Sequence, residues 1–458
     1  MKGNVQTLGV ALAVMLFLVG ASAVGLLIGQ EKSVWAFGVL GVVLLLWVGF
    51  AIPMTFFAII YPIAMIFGGI TLGVVSFERA VVIFGAMGFM SGIFMRRFRV
   101  PHLPPMVILG VLIWLLAFCI SYISIPSEPG TVRVTQAFQK AAFGWLVFVA
   151  LCDERRLKKA IRVSMVVLLI ASVVSLIAVL ISGNMYFLRA SSFGAGETLG
   201  ENLFRGVARS GTGANATIAA CLAMMEYRLA QEKGRPSLGW MLLVIWFISI
   251  SMFALRRESL IAIIGMLILI AWYRPVKKGA AWLWVILLSF ASIFTIFSYS
   301  TEWQQRIYGD TVARFKAGTD TRTNLLEFSW EATKQSPWIG YGPGSYGKTQ
   351  LKFRDIVLDA EAERAPHNSF AAAAVEAGVP AFLGLSIFVL AIFFPLLRQK
   401  VQLDDPLLQS MWAMAPILFI PLFSALFFGD AITNTSIWYW LGLLAALTYL
   451  VKQRQQAA

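Results

Sequence analysis

MVILGVLIWLLAFCISYISI, residues 106–125, contains no charged side chain. A helix of that length rises about 30 Å, the thickness of a bilayer's hydrocarbon core. Comparable runs recur along the chain, including LGVALAVMLFLVGASAVGLLI (8–28) and WMLLVIWFISISMFAL (240–255). Over all 458 residues, hydrophobic side chains make up 59% and charged ones 13%, and the mean hydropathy is +0.79. That composition excludes the set of soluble domains the length would allow. It describes a polytopic, all-α integral membrane protein, because in lipid only helices or closed barrels satisfy their own backbone.

Reading apolar runs against charged breaks gives about 14 spans (12–14 within the accuracy of such counting). They cover residues 8–28, 34–50, 54–75, 80–95, 104–124, 135–151, 163–182, 212–230, 238–255, 259–273, 280–298, 368–397, 408–428 and 436–451. The chain then divides into N-terminal spans (1–182), spans with outward-facing arginines (183–298), one large loop (299–366) and C-terminal spans (367–458). If the spans alternate, the basic loops at 96, 153, 231, 273 and 452 share one side. That side is the cytoplasm by the positive-inside rule. It holds 19 of the 37 Lys and Arg, against 9 in short outer segments and 9 in the long loop. The long loop carries 9 acidic residues as well and is locally neutral. The expected location is a bacterial inner membrane, with the loop in the periplasm. Lys2 and the ASA triplet at 21–23 fit a signal peptide, but a retained anchor is expected, and the later orientations are the same in either case.

Within the long loop, GPGSYGKT (342–349) satisfies the phosphate-loop pattern GxxxxGK[ST]. Its compartment and context argue against nucleotide binding. The alternation places it outside the cytoplasm, and no hydrophobic strand precedes it. Gly342, Gly344 and Gly347 are expected to make turns. Around them, 323–335 reads as a surface helix starting at Asn324, with Leu325, Phe328 and Ala332 on one face and Pro337 ending it; 355–365 reads as a second. Together they form a helical cap at the outer face. Cys119, Cys152 and Cys221 are far apart and odd in number, so they read as packing residues rather than as disulfides or metal ligands.

The chain has two histidines. His102, in VPHLPP beside a basic loop, reads as a connector. His367 follows Pro366 at the start of a helix on the outer side, where the positive helix end favours a neutral imidazole, the form a general base requires. Arg189, Arg205, Arg209, Arg256 and Arg257 run against the positive-inside trend. A charge at the bilayer centre costs on the order of 3 kcal/mol, so these arginines call for anionic partners. Glu197, Glu201 or Glu258 would serve, as would a lipid head group or a diphosphate gripped by bidentate guanidinium contacts.

ARSGTGANATIAA (208–220), RRESLIAIIG (256–265), RTNLLEFSWEATKQSPWIGYGPGSYG (322–347) and HNSFAAAAVEAGVPAFLGL (367–385), in this order, resemble the O-antigen ligase and O-antigen polymerase superfamily of bacterial envelope enzymes. The family's histidine pattern is met at His367, Asn368 and Gly378 but ends in Ala381. In its arginine motif Arg257 takes the arginine's place, with Arg256 for the usual serine and Glu258 for the usual glycine. The resemblance implies a GT-C-like membrane fold and an inverting, metal-independent glycosyltransferase without cofactor. The donor would be an undecaprenyl-diphosphate-linked glycan and the acceptor a lipid-linked glycan or lipid A core, with membrane lipids as further partners and no nucleic acid. On that reading His367 is the catalytic base. Arg209, Arg257, Arg256, Arg322, Asn368 and Glu376 bind substrate, Glu376 being the next proton acceptor to consider. A polymerase is slightly favoured over a ligase or a protein O-oligosaccharyltransferase. A lipid-linked glycan transporter would typically show inverted repeats, and a lipid-binding structural protein would not depend on His367.

Overall fold

The computed structural model describes residues 53–67, 71–72, 75–94, 101–182, 213–253, 257–273, 311–353, 355–356, 367–397, 401–429 and 431–457. Helices dominate them: α1 (Pro53–Phe67), α2 (Phe77–Phe94), α3 (Pro105–Ser124), α4 (Glu128–Leu151), α5 (Glu154–Ser182), α6 (Ala214–Glu232), α7 (Leu238–Phe253) and α8 (Arg257–Tyr273). After a gap follow α9 (Thr311–Gln335), α10 (Tyr346–Gln350), α11 (Ser369–Leu396), α12 (Pro406–Phe428) and α13 (Thr435–Ala457). Among the described residues, five segments are long and apolar enough to cross a membrane: Pro105–Ser124, Glu128–Leu151, Glu154–Ile177, Ser369–Leu396 and Pro406–Phe428. The expected spans 8–28, 34–50 and 280–298 lie outside the described residues, as do residues 357–365 of the expected second loop helix.

Several boundaries differ from the sequence reading, each for a local reason. The expected span 54–75 stops as a helix at Phe67, and a two-residue antiparallel strand pair, Thr71–Leu72 with Val75–Ser76, turns the chain into α2. The all-α expectation therefore needs this one exception. Helix α4 begins at Glu128, seven residues earlier than expected. Ser127 caps it by accepting from the Gly130 N–H at 3.0 Å, and Glu128 and Pro129 suit a first turn. Helix α5 likewise starts at Glu154, so the basic stretch after it is helical. Helix α9 starts at Thr311, which leaves Asn324 inside the helix rather than at its start.

Small residues let the long helices approach. A Cβ on Gly110 would lie 2.4 Å from the Phe388 backbone nitrogen, and one on Gly442 would lie 2.6 Å from the Gly144 carbonyl oxygen. In lipid, where apolar surface gives no drive to associate, such close backbone packing holds helices together. Around these contacts Trp438 stacks on Phe388 at 5.3 Å and tilts against Trp114 at 5.7 Å, joining α3, α11 and α13 in one buried cluster.

The bundle has two distinct ends, about 36 Å apart along the 24 residues of α4. At one end Lys158 bonds Asp405 at 2.7 Å and Arg454 bonds Glu154 at 2.7 Å, tying together the 153 loop, the start of α12 and the C-terminal tail. At the other end the first turn of α4 touches the glycine loop: a Cβ on Gly344 would lie 2.8 Å from the Pro129 carbonyl oxygen. The basic-loop reading assigns the first end to the cytoplasm. In a chain lacking Cys119, Cys152 and Cys221, a cysteine at exposed Lys348 should react with a membrane-impermeant thiol reagent in cells with a permeabilised outer membrane. One at exposed Gln453 should react only after the inner membrane is opened. The reverse pattern would invert the topology.

Candidate active site at a broken helix

Helix α11 is not one rod. Ala377 (φ −141°, ψ 20°) and Gly378 (φ 77°, ψ −177°) leave helical geometry and split it into an arm, 369–376, and a long limb, 379–396. Along a straight helix the rings of Phe370 and Phe382 would be about 18 Å apart. Their centroids lie 6.3 Å apart, so the two pieces fold toward each other in a V. The expected span 368–397 is thus interrupted at Gly378, one of the residues on which the family resemblance rests.

A break in a helix strands backbone groups, and here the glycine loop takes them up. The Val375 carbonyl accepts from the Tyr341 N–H at 2.9 Å, and the Glu376 carbonyl accepts from the Gly342 N–H at 3.1 Å and from the Ser121 hydroxyl at 2.8 Å. In return the Val379 N–H donates to the Pro337 carbonyl at 2.7 Å. The two backbones meet at Gly340 and Gly378, both at positive φ. A Cβ on Gly340 would fall 2.6 Å from the Ala377 nitrogen, and one on Gly378 would fall 2.6 Å from the Pro337 oxygen. The phosphate-loop pattern is therefore a helix-capping loop: the Tyr341 and Gly342 N–H groups are spent on carbonyls. Gly342 and Gly344 take positive φ as expected, whereas Gly347 is helical, within α10. Burial pushes the Tyr341 phenol above its ordinary pKa, and it donates to Gln335 at 3.0 Å, which leaves it unsuited to act as a base.

Behind the loop, Leu325, Phe328 and Ala332 form the shared face expected of them. With Tyr346 and Phe353 they pack on Ala372 and Val375 of the arm, a small core separate from the main one. At the arm's tip Asn368 is the N-cap, its side-chain oxygen accepting from the N–H groups of Phe370 and Ala371 at 2.9 and 3.0 Å. Ser369 donates to the Gly429 carbonyl at 2.9 Å and accepts from the Ile432 N–H at 3.2 Å. His367, exposed, stands immediately before this cap. The arm is thus held at both ends, with the exposed histidine at its tip.

Arg257 is the first residue of α8. Gly265 meets Ile420 where α8 packs on α12, so Arg257, eight residues earlier, comes level with Phe428 at the end of α12. The carbonyl of the next residue, Gly429, is the one that holds Ser369. The backbone therefore brings Arg257 and His367 to the same end of α12. Arg322 lies on α9, one turn before the face that packs on the arm. Arg209 and Arg256 lie outside the described residues. Gly213, four residues after Arg209, is anchored by the Ser251 hydroxyl near the end of α7.

Glu376, at the apex of the V, is 2% exposed, and its Oε2 accepts from Arg133 Nε at 2.9 Å. Sequence reasoning passed over Arg133, because it placed the start of the span at 135 and left this residue in a loop. The signal that could have found it is the Ser127 cap followed by Glu128 and Pro129. That start puts Arg133 on the same face of α4 as Ala137, Lys140 and Gly144, all buried. His102 is elsewhere: it edges an apolar cavity of about 480 Å³ between α3, α4, α11 and α13, lined by Trp145, Phe388 and Trp438. It stands just before α3, whose far end meets the apex of the V through Ser121.

Compared with known families, residues 241–386 match the family described as O-antigen ligase. This segment, about a third of the chain, is similar to that family. It contains Arg256, Arg257, Arg322, the capping loop, His367, Asn368 and Glu376; Arg209 and Arg133 lie before it. No curated protein matches the chain. The apolar helices make this a multi-pass membrane protein, one segment of which is similar to the O-antigen ligase family.

The apex geometry tolerates no side chain at Gly378, whose φ and ψ only glycine adopts readily. Gly378→Ala and Gly340→Ala should each lower the stability of the detergent-purified protein by about 1–3 kcal/mol or more. Gly239→Ala, in a helix with open space around its Cβ position, should not. Thermal unfolding of the three variants checks this, and equal melting temperatures would disprove the tight apex.

Proposed function

We propose that the chain is an inverting glycosyltransferase working on the periplasmic side of the inner membrane, with an undecaprenyl-diphosphate-linked glycan as donor. The observation that carries the reading is the placement of His367. It lies within the O-antigen ligase segment, exposed at the tip of an arm pinned at both ends, and at the same end of α12 as Arg257.

In the reaction an acceptor hydroxyl attacks the anomeric carbon of the donor sugar. A new C–O bond forms on one face as the bond to the diphosphate breaks on the other, which inverts the centre. The acceptor proton passes to the His367 imidazole, and undecaprenyl diphosphate departs with the bonding electron pair. Arg257 and Arg209 bind that diphosphate, since a guanidinium offers paired N–H donors to phosphate oxygens and stabilises charge as it develops. Arg256 and Arg322 serve the same donor as further cations. Asn368 fixes the register of the arm through its cap and leaves its amide nitrogen for the glycan. The activated bond arrives with the lipid, so the reading needs no nucleotide, cofactor or metal.

Polymerisation onto a second lipid-linked repeat is the favoured outcome, with transfer to lipid A core as the alternative. The surface glycan of a deletion strain separates them. Core capped with a single repeat marks a polymerase, whereas core without any polymer beside intact lipid-linked chains marks a ligase.

His367→Ala should lower turnover by roughly 10² to 10⁴, the range for a positioned acid or base, while His102→Ala leaves it nearly unchanged. The measurement is transfer from purified donor to acceptor by matched amounts of folded enzyme. Arg257→Lys keeps the charge and loses the planar fork, so donor affinity should fall by about tenfold or more. A fully active His367→Ala enzyme would remove the base from this mechanism, and a fully active Arg257→Lys enzyme would remove diphosphate recognition from that residue.

A further inference from the structure

We infer that Arg133, which precedes the O-antigen ligase segment, is a positioning residue for His367: it grips Glu376 at the apex of the V and so sets the arm whose tip carries the histidine. The inference rests on the catalytic reading of His367 given above.

Three observations carry it. Glu376 is buried and Arg133 largely so, with side-chain exposures of 3% and 12%. Desolvating two charges is expensive, and leaving one of them without its partner is worse, so a pair this deep strongly constrains the backbone on both sides. Arg133 belongs to α4, which is itself locked into the bundle where Gly144 meets Trp438 of α13. The contact therefore refers the arm to a rigid helix rather than to a loop. Glu376 is also unsuited to the chemistry. One carboxylate oxygen accepts from Arg133, its carbonyl is held by Gly342 and Ser121, and it stands seven residues, about 10 Å, along the arm from Ser369. That arm is a single rigid piece of about two turns. A change of angle at its apex is therefore delivered to its tip, and misplacing a reacting group by an ångström can cost about 10²-fold.

The test compares Arg133→Ala, Arg133→Lys, Glu376→Gln and the double variant Arg133→Ala/Glu376→Gln, each purified in nanodiscs. Diethyl pyrocarbonate reports the environment of the two histidines by peptide mass, with His102 as the internal reference, and glycan-transfer kinetics report function. Arg133→Ala should change the modification rate of His367 by about threefold or more with His102 unaffected, and should lower kcat by about 10- to 100-fold with donor KM within about twofold. Glu376→Gln alone should stay within about tenfold of wild type. In the double variant the buried carboxylate is neutral, so His367 reactivity and kcat should return toward the Glu376→Gln level. Arg133→Lys, which keeps a cation opposite Glu376, should lie close to wild type. If Arg133→Ala does not fold, Arg133→Gln, which keeps an N–H donor but not the charge, gives both readouts in its place and should move them in the same direction. Unchanged His367 reactivity in folded Arg133→Ala, or in Arg133→Gln where Arg133→Ala does not fold, would overturn the inference. So would a rise in donor KM at constant kcat, which would make Arg133 a substrate ligand, or a Glu376→Gln enzyme as inactive as His367→Ala. Should the wild-type enzyme transfer no glycan, the proposed function fails, while the histidine modification data still decide whether Arg133 sets the arm.

Discussion

Backbone hydrogen bonding at the break in α11 is the constraint on which the candidate site depends. An interrupted helix exposes carbonyl and N–H groups that water cannot reach inside a bundle, and each unpaired buried group costs several kcal/mol in an apolar medium. The protein meets that cost with a second piece of chain. Residues 337–342 supply donors to Val375 and Glu376 and an acceptor to Val379, while α3 adds the Ser121 hydroxyl. Once that exchange is made, the loop cannot move without the apex, and the apex cannot move without the arm. The packing of α9 on Ala372 and Val375 follows from the same need, since it buries the loop that serves the break.

The V-shape also reconciles two demands on one helix. The long limb must pack deep among apolar neighbours, which it does through Gly384 against α3 and Phe388 against Trp438. The arm must carry a histidine at an exposed position and hold it still. A continuous 28-residue helix would run about 42 Å in one direction and could not return its first turns to the end of α12. Breaking it at Gly378 lets Ser369 reach Gly429 and Ile432, beside the level at which α8 begins with Arg257. The large apolar cavity beside Trp145 and Trp438 plays no part in that arrangement, since its lining offers no charged group to a diphosphate.

The amino-acid sequence by itself determined the membrane class, because helix length and apolar composition follow directly from bilayer thickness. It also placed most of the expected spans within the described residues on helices, with 54–75 ending in a strand pair and 368–397 broken at Gly378, set Leu325, Phe328 and Ala332 on one face by their spacing, and singled out His367 by chemistry and motif. Those are local properties, legible in a few consecutive residues. The helix break was not legible, since Ala377 and Gly378 sit inside an unbroken apolar run and hydropathy carries no direction. The role of the glycine loop was hidden for the same reason: YGPGSYGKT (341–349) shows the capacity to turn but not the carbonyls it turns toward, which belong to Val375 and Glu376. Only the tertiary structure decided that Arg133 faces Glu376, 243 residues away. Pairing across that distance depends on how α4 and α11 pack, and a buried charge finds its partner in space, wherever along the chain that partner lies.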